Sequence, residues 1–458
     1  MHAASEADVD KAVAAAKAAL PKWKSTSGFQ RTAIMLKFAD LLEANIDKLA
    51  HYESIAMGQP ITLAKRMILG PIALWRYYAG YAGKVAGESY PPDGQDGTYK
   101  MVQYEPLGVC AGICAWNGSN VLAAWKMAPA MAAGNTFILK SSEKSPIGLA
   151  QYGELLNQAG FPPGVINILA GGGKVGALLA SHMEIAKIAF TGSAASGRLV
   201  QIAAAKSNLK RVTLELGGKS PALIFDDADL DNAVLHASES FLRNSGQVCV
   251  AASRVLVQEG IAQDFIKAVK VAYEKAETQM GDSAAAETAF GPLADKKQYE
   301  RVMEFLDSAK SEGIEILAGG ERKGDKGSFV QPTVLLNPDL KSRVYTDEIF
   351  GPVISVRTFK TEEEAIQLAN DTQYGLGSTI YTSDIGRALR VASEMQSGTV
   401  SINTGHVTSP QTPFGGFKQS GYGRESGVEG IKNYLQAKTI HVNLKLQAKT
   451  GKEGIAVR

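Results

Sequence analysis

The stretch that decides the fold lies near the middle of the chain and reads Val212-Thr213-Leu214-Glu215-Leu216-Gly217-Gly218-Lys219-Ser220-Pro221-Ala222-Leu223-Ile224-Phe225. Its first part predicts a strand that ends at a pair of glycines, and its second part predicts another strand. Alternating strand and helix patterns run up to this point, and a second such series starts after it. We therefore expect two α/β domains with a boundary near Gly217-Gly218.

Four strand-helix pairs precede this boundary. Each is a short apolar run followed by a run with helical spacing: Val109 to Ala115 and Val121 to Ala133, Asn135 to Lys140 and Ile147 to Ala159, Val165 to Leu169 and Val175 to His182, Ile185 to Phe190 and Ser196 to Ala205. This alternation predicts a parallel sheet covered by helices on both faces. Helical spacing from Ser5 to about Gly83 predicts a helical layer, and the pattern between Gly87 and Gly108 predicts a hairpin.

Composition restricts the class of partner. The chain has 458 residues, of which 45% are hydrophobic, and its 48 Lys and Arg nearly balance its 46 Asp and Glu. We see no basic run for nucleic acid or an anionic membrane surface, so small molecules are the expected partners. Three cysteines are too few for a disulfide framework, no apolar run has transmembrane length, and the six histidines lack metal-ligand spacing. The sequence predicts a cytoplasmic protein without a metal site.

Three side chains are candidates for chemistry. Cys249, in Gly246-Gln247-Val248-Cys249-Val250, lies among small residues where a substrate could reach a thiol, although a single cysteine is often only buried packing. Glu215 ends a predicted strand and could be a general base or a salt-bridged acid. Asn117 follows the apolar strand end Ile113-Cys114-Ala115-Trp116 and could donate to an oxyanion or cap a helix.

Two glycine-containing turns join strands to helices. Gly171-Gly172-Gly173-Lys174-Val175-Gly176 has the spacing of a dinucleotide fingerprint, but a triple glycine meets that pattern easily and no acid follows at the expected distance. The second turn, Thr191-Gly192-Ser193, could present backbone N–H groups to a pyrophosphate. Together the two turns favour a dinucleotide ligand.

Taken together, these segments resemble the aldehyde dehydrogenase family, collinearly from about Ser5 to Leu444. The likeness is carried by four stretches: Leu214-Glu215-Leu216-Gly217-Gly218-Lys219-Ser220-Pro221, Gly246-Gln247-Val248-Cys249, Asp347-Glu348-Ile349-Phe350-Gly351-Pro352-Val353, and Pro413-Phe414-Gly415-Gly416-Phe417-Lys418-Gln419-Ser420-Gly421 with Gly423-Arg424-Glu425. The resemblance implies an α/β fold with two Rossmann-like domains and a β oligomerisation element.

The resemblance also implies a division of the chain. Residues 1–83 and 107–217 would form the nucleotide-binding domain, residues 218–433 the catalytic domain, and residues 84–106 with 434–446 the oligomerisation element, followed by a polar tail over 447–458. A homodimer or homotetramer is expected. Relatives usually begin with several tens of residues, a β-rich segment beside the nucleotide domain, that this sequence lacks, and we expect a consequence for stability and activity.

By the same resemblance, Cys249 is the nucleophile, Asn117 holds the oxyanion, and Glu215 activates water, so that an aldehyde is oxidised to a carboxylic acid through a thiohemiacetal and a thioester. The cofactor is NAD, with NADP as the alternative, since Glu143 would repel a 2′-phosphate and Lys140 would soften that repulsion. The residues implied for cofactor binding are Trp116, Lys140, Glu143, Gly171, Thr191, Gly192, Ser193, Glu348 and Phe350.

The substrate is expected to be a medium-sized aldehyde, aromatic or hydroxylated, and its exact identity stays open. Its pocket is expected to be lined by Trp125, Val248, Val250, Thr408 and Phe414. Many relatives have an aromatic-Pro pair after the residue matched by Asn117, whereas this sequence has Gly118-Ser119, so we expect a wider and more polar pocket. That departure and the shorter start motivate an alternative function, a catalytically weakened relative with a binding or structural role.

Overall fold

The structure is a computed structural model and describes residues 2–92 and 97–445. The predicted polar tail over 447–458 and the hairpin residues Asp93 and Gly94 lie outside the described residues. Four helices form the predicted layer at the start: α1 (Glu6–Ser25), α2 (Gly28–Ala44), α3 (Ile46–Met57) and α4 (Ile61–Ala79). Capping boxes start the first two, because Ser5 pairs with Asp8 and Ser27 with Gln30 and each pair satisfies free backbone N–H groups.

The predicted hairpin is present as two antiparallel strands, β1 (Glu88–Tyr90) and β2 (Thr98–Pro106). The four predicted strand-helix pairs follow, and then a fifth strand: β3 (Val109–Ile113), α5 (Ser119–Ala132), β4 (Thr136–Ser141), α6 (Pro146–Ala159), β5 (Ile166–Ala170), α7 (Gly173–Ser181), β6 (Lys187–Thr191), α8 (Ala194–Lys206) and β7 (Arg211–Glu215). Strands β3 and β4 are entirely buried, as expected when helices cover both faces of a parallel sheet.

The second series starts at the predicted position, and Asp229 caps its first helix. Its elements are β8 (Pro221–Ile224), α9 (Leu230–Leu235), β9 (Arg254–Gln258), α10 (Glu259–Thr278), α11 (Lys296–Ser311), β10 (Glu315–Ala318), β11 (Thr333–Leu336), α12 (Arg343–Thr346), β12 (Val353–Phe359), α13 (Glu362–Asn370), β13 (Gly377–Tyr381), α14 (Ile385–Glu394) and β14 (Thr399–Ile402). The chain then passes through β15 (Gly421–Tyr422), α15 (Gly427–Lys432) and β16 (Leu435–Asn443).

The strands form three sheets. The first has the order β15-β7-β6-β3-β4-β5, and the second has the order β10-β11-β12-β9-β8-β13-β14; both are parallel except at β15 and β10. The third is the antiparallel sheet β1-β2-β16. The predicted α/β fold class is confirmed. The domain bounds stay a prediction, and β15, inside the range predicted for the catalytic domain, pairs with β7 of the first sheet.

An aromatic cluster joins the helical layer to the first sheet. Phe38 of α2 is fully buried, and its ring contacts those of Trp75, Tyr152 and Phe161 at centroid distances of 4.8, 5.5 and 6.0 Å. Such edge-on aromatic pairs add stability beyond the apolar area that they bury. Phe38 therefore packs α2 against α4 and against α6, one of the helices that cover the first sheet.

We expect Phe38→Ala to lower the free energy of unfolding by about 3–5 kcal/mol, because it leaves a cavity among these rings. Phe29→Ala, in the same helix but with Phe29 91% exposed, should change it by less than about 0.5 kcal/mol. Urea unfolding followed by tryptophan fluorescence compares the two variants. Equal losses would show that α2 is not anchored by Phe38.

Candidate active site

The predicted site residues of the first sheet lie at one edge. Asn117 follows β3, Glu143 follows β4, Gly171 follows β5, Ser193 follows β6, and Glu215 is the last residue of β7. These five strands are parallel and in register, with Thr191 opposite Glu215, so their carboxyl ends meet at the same edge. Ligands of open parallel sheets bind at this edge.

The second sheet contributes from its amino-terminal edge. Cys249 lies before β9, Glu348 lies before β12, and Gly217-Gly218 connects β7 to β8. The N–H of Gly218 donates to the Glu348 carboxylate at 3.0 Å. A Cβ on Gly218 would be 2.5 Å from the Cys249 carbonyl oxygen, and one on Gly217 would be 2.2 Å from a Glu348 oxygen. At Gly218 the neighbour is backbone, so only glycine fits there, and the link brings Cys249 and Glu348 to the end of the Glu215 strand.

The segment before Cys249 has an unusual backbone. Asn244, Ser245 and Gly246 have φ values of 54°, 56° and 70°, in the left-handed region that side chains disfavour. A Cβ on Gly246 would be 2.2 Å from the Gly351 carbonyl oxygen. The Asn244 amide donates to the Asn117 carbonyl at 3.0 Å, and the Ser245 hydroxyl donates to the Gly291 carbonyl at 2.7 Å. These contacts maintain a strained conformation, a common feature of functional sites.

Asn117 contacts this segment from the first sheet. Its side-chain N–H donates to the Gln247 carbonyl at 3.1 Å, two residues before Cys249. The residue that caps α5 is Gly118, and within the described chain no side chain caps this helix. Asn117 is therefore not a helix cap, which removes that alternative. The amide carries a second N–H that this bond does not use.

Glu215 is buried, and neither carboxylate oxygen has a hydrogen-bond partner within residues 2–92 and 97–445. It is not a salt-bridged acid, since its oxygens lie outside every ion pair of that part of the chain. Burial raises the pKa of Glu215 well above its ordinary value, and the charge of Glu425 adds to this, while Lys126 and Arg424 act in the opposite direction. A protein does not normally leave a buried carboxyl unpartnered without a functional reason.

Lys126 and Glu425 form a buried ion pair behind Glu215 that the sequence reasoning missed. The Lys126 ammonium lies 2.9 Å from a Glu425 carboxylate oxygen and donates to the Thr191 hydroxyl at 2.6 Å. Lys126 lies in α5, and Glu425 lies 299 residues later. What distinguishes Lys126 and Glu425 from other charged residues is their burial, and a sequence pattern does not show which charged residues are buried. Because Lys126 donates to the Thr191 hydroxyl, that hydroxyl acts as an acceptor toward Lys126 and keeps its own O–H for another partner.

Cys249 itself is a partly buried free thiol. Burial raises its pKa well above the ordinary range, and the nearby carboxylates of Glu215 and Glu348 raise it further. Burial also raises the pKa of Glu348 to about 7, opposed by the Gly218 N–H. In the protein without ligands, the thiol is therefore the dominant form at neutral pH.

Within two groups of the residues predicted for a dinucleotide, side chains contact one another in the structure. The Lys140 ammonium lies 3.6 Å from the Glu143 carboxylate, and a Cβ on Gly172 would be 4.0 Å from that same carboxyl group. At the other end, the rings of Trp116 and Phe350 meet edge-on at 5.4 Å. Ser193 caps α8, which starts after β6 at the carboxyl edge of the first sheet, and a helix N-terminus in this place is suited to phosphate. The residues present therefore fit a dinucleotide.

Of the predicted pocket walls, Trp125 and Phe414 are both buried and their ring centroids lie 4.9 Å apart. Val250 is buried and Val248 is partly buried, so the flanks of Cys249 are apolar. Thr408 is exposed in the loop after β14, and its role stays a prediction. Among the described helices, none combines the length and apolar character of a membrane span.

An α/β fold whose sheet edges bring together a cysteine, an unpartnered acid and residues that fit a dinucleotide is typical of a nucleotide-dependent dehydrogenase. The family model "Aldehyde dehydrogenase family" matches residues 1–440. The chain is 44% identical to the aldehyde dehydrogenase of Emericella nidulans, over 97% of this chain and 89% of that protein. It is 45% identical to retinal dehydrogenase 2 of Homo sapiens, over 96% and 85%.

Among solved structures, the NAD+ complex of aldehyde dehydrogenase from Bacillus cereus is similar, with a TM-score of 0.94, 38% identity, and coverage of 97% of this chain and 90% of that one. The chain belongs to the aldehyde dehydrogenase family. The predicted enzyme class, an NAD(P)-dependent aldehyde dehydrogenase, is thereby confirmed, together with the predicted fold.

The electrostatics of the site predict how Cys249 responds to Glu348→Gln. The variant removes a negative charge, so the thiolate becomes more favourable and the pKa of Cys249 falls. We expect iodoacetamide to alkylate Cys249 roughly two- to tenfold faster at pH 8.5, equivalent to a pKa lower by up to about one unit.

Mass spectrometry of the cofactor-free protein measures this rate. Cys249→Ala corrects for the buried Cys110 and Cys114. A slower reaction in Glu348→Gln would contradict the assignment of Glu348 as a charge that opposes the thiolate.

Proposed function

We propose that this enzyme oxidises an aldehyde to a carboxylic acid through a thiohemiacetal and then a thioester on Cys249. The observation that carries the proposal is the buried, unpartnered carboxyl of Glu215 at the end of β7, where the Gly217-Gly218 link brings the Cys249 backbone close. A carboxylate in this position serves as a base for water, so the acyl group leaves as a free acid.

The first half of the reaction forms and oxidises an adduct. The Cys249 thiolate attacks the aldehyde carbon, and the carbonyl oxygen becomes an alkoxide held by the Asn117 side-chain amide and the Cys249 backbone N–H. NAD(P), when bound, accepts the hydride from that carbon. The alkoxide then re-forms a carbonyl, which leaves a thioester on the Cys249 sulfur. The Asn244 bond to the Asn117 carbonyl keeps the amide at this place.

The second half releases the acid. Glu215 takes a proton from water, and the hydroxide adds to the thioester carbon. Collapse of this adduct breaks the C–S bond, and the Cys249 thiolate leaves. Because Lys126 lowers the pKa of Glu215 while Glu425 raises it, their ion pair adjusts the basicity of this carboxylate. Glu215 thus makes the reaction hydrolytic.

For the cofactor we infer a preference for NAD over NADP. Glu143 lies beside Gly172 with 58% of its side chain exposed, so its carboxylate can accept from a ribose 2′-hydroxyl and would repel a 2′-phosphate. Lys140 is already paired with Glu143, which weakens its attraction for that phosphate. Glu348 and Phe350 would hold the nicotinamide end, with Trp116 packed against Phe350.

For the substrate we propose a medium-sized aldehyde, aromatic or hydroxylated. The Trp125 and Phe414 rings offer an apolar wall, and Gly118 leaves space beside Asn117. The pocket segments contribute no arginine for a second carboxylate. We further propose a cytoplasmic homodimer or homotetramer, since the three cysteines are free and β16 exposes most of its residues.

A panel of aldehydes assayed for NADH formation tests the activity. We expect turnover by the wild type and a loss of at least about 10⁴-fold in Cys249→Ala, which should still bind NAD. Cys110→Ala is the matched control and should retain activity, because Cys110 is buried in β3. Binding of NAD without turnover of any aldehyde would favour the alternative, a catalytically weakened relative with a binding role.

Glu215→Gln tests the hydrolytic half. We expect a burst of about one NADH per active site, followed by a steady-state rate lowered by about 10²–10⁴-fold, because the thioester forms but is not cleaved. The raised pKa of Glu215 means that its carboxylate form increases with pH, so the wild-type steady-state rate should rise toward alkaline pH.

Stopped-flow absorbance at 340 nm measures the NADH burst and the steady-state rate, and a pH series measures how the wild-type rate depends on pH. A normal steady-state rate in Glu215→Gln would mean that another group activates the water.

A further inference from the structure

A buried polar cluster lies behind the active site, outside the residues used so far. Glu53 of α3 is 3% exposed, and its carboxylate accepts from the Ser119 hydroxyl at 3.0 Å. The hydroxyls of Ser119 and Ser145 lie 2.8 Å apart, and both are fully buried. Ser119 is the first residue of α5, and Ser145 is the residue that precedes α6. One carboxyl of α3 is thus connected to the starts of two helices.

The bonding in this cluster is unusual for a protein interior. The second oxygen of Glu53 and both polar atoms of the Asn120 amide have no partner in the described part of the chain. An ideal Cβ on Gly148 would be 2.8 Å from that Glu53 oxygen and 3.8 Å from the Asn120 nitrogen, so the two groups converge beside α6. Burying a carboxyl costs free energy that apolar packing would not, so a function for it is needed.

The two helix starts continue directly from the active-site turns. Asn117 lies two residues before Ser119, and on its other side it is bonded to the Asn244–Gln247 segment. The stretch from Lys140 to Lys144 ends at Ser145, and the Lys144 ammonium lies over the Trp116 ring at 4.8 Å. Ser145 does not cap its own helix, because its hydroxyl is directed to Ser119 instead.

We propose that Glu53 is a positioning residue of the active site: through Ser119 and Ser145 it fixes the turn that carries Asn117 relative to the turn that carries Lys140 and Glu143. The inference rests on the proposed function. It assigns to Gly118-Ser119-Asn120, the stretch that departs from many relatives, a supporting role as well as an effect on pocket width. A displacement of about 1 Å at a reacting group is enough to cost about 10²-fold in rate.

The test compares three single variants with a control. We expect Glu53→Ala to lower kcat by about 10²-fold with little change in the KM for the aldehyde, and Ser119→Ala to lower it by about tenfold. Glu53→Gln keeps an acceptor for Ser119 and should stay within about threefold of the wild type. The control is Ser54→Ala, whose buried hydroxyl is unpartnered in the described chain and should leave kcat unchanged.

A double-mutant cycle separates positioning from general destabilisation. If Glu53 acts through Asn117, Glu53→Ala should lower kcat by less than about threefold in an Asn117→Ala background. If the kcat losses of Glu53→Ala and Asn117→Ala simply multiply in the double variant, the proposal is overturned. Equal kcat in the wild type, Glu53→Ala and Ser119→Ala would also overturn it. If thermal unfolding shows that Glu53→Ala does not fold, Ser119→Ala and its cycle with Asn117→Ala decide.

A measurement of NAD affinity tests the role of Glu53 without relying on aldehyde oxidation. Calorimetric titration should give about tenfold weaker binding in Glu53→Ala than in Ser54→Ala, because the Lys140–Glu143 turn is displaced. A wild type that oxidises no aldehyde would contradict the proposed function alone, and this titration would still decide the role of Glu53. Identical NAD affinities in that case would overturn the positioning role.

Discussion

The site depends on the close approach of two backbones at Gly217-Gly218. The carboxyl edge of one parallel sheet and the amino edge of the other meet here, and a Cβ at either glycine would collide with Glu348 or with the Cys249 carbonyl. This link lets the last residue of β7, Glu215, share one site with residues that precede strands of the second sheet. Without it, the base of the first sheet and the cysteine beside the second would not share one site.

A second feature is the number of charged groups that the site holds away from water. Burial raises the pKa of Glu215, Glu348 and Cys249 together, while Lys126 and Glu425 lie 2.9 Å apart as an ion pair nearby. Burial of isolated charges is expensive, so these groups reach their reactive forms only when a neighbour compensates. The bound cofactor and substrate therefore work in a site whose acid and thiol are predominantly protonated beforehand.

The stretch Gly118-Ser119-Asn120 affects both the width of the substrate pocket and the position of the turn that carries Asn117. Gly118 follows Asn117 directly, and the next two residues, Ser119 and Asn120, lie on the side of the Glu53 carboxyl. A residue without a side chain thus lies on the substrate side of this turn, and the Ser119–Glu53 hydrogen bond lies on its opposite side. These two features occur in consecutive residues because, in the turn into α5, Gly118 lies on the side of the pocket and Ser119 on the side of the protein interior.

The sequence by itself determined the alternation of strands and helices, the α/β class, the placement of Asn117 and Glu215 at strand ends and the small-residue surroundings of Cys249, because periodicity and turn residues are local signals. It left open whether Asn117 was a helix cap and Glu215 a salt-bridged acid. Tertiary structure decided both, and it alone showed the pairs Lys126–Glu425, Asn117–Gln247 and Glu53–Ser119, which are 299, 130 and 66 residues apart. No periodic pattern reports such pairs, since burial and contact between distant segments exist only once the sheets have assembled.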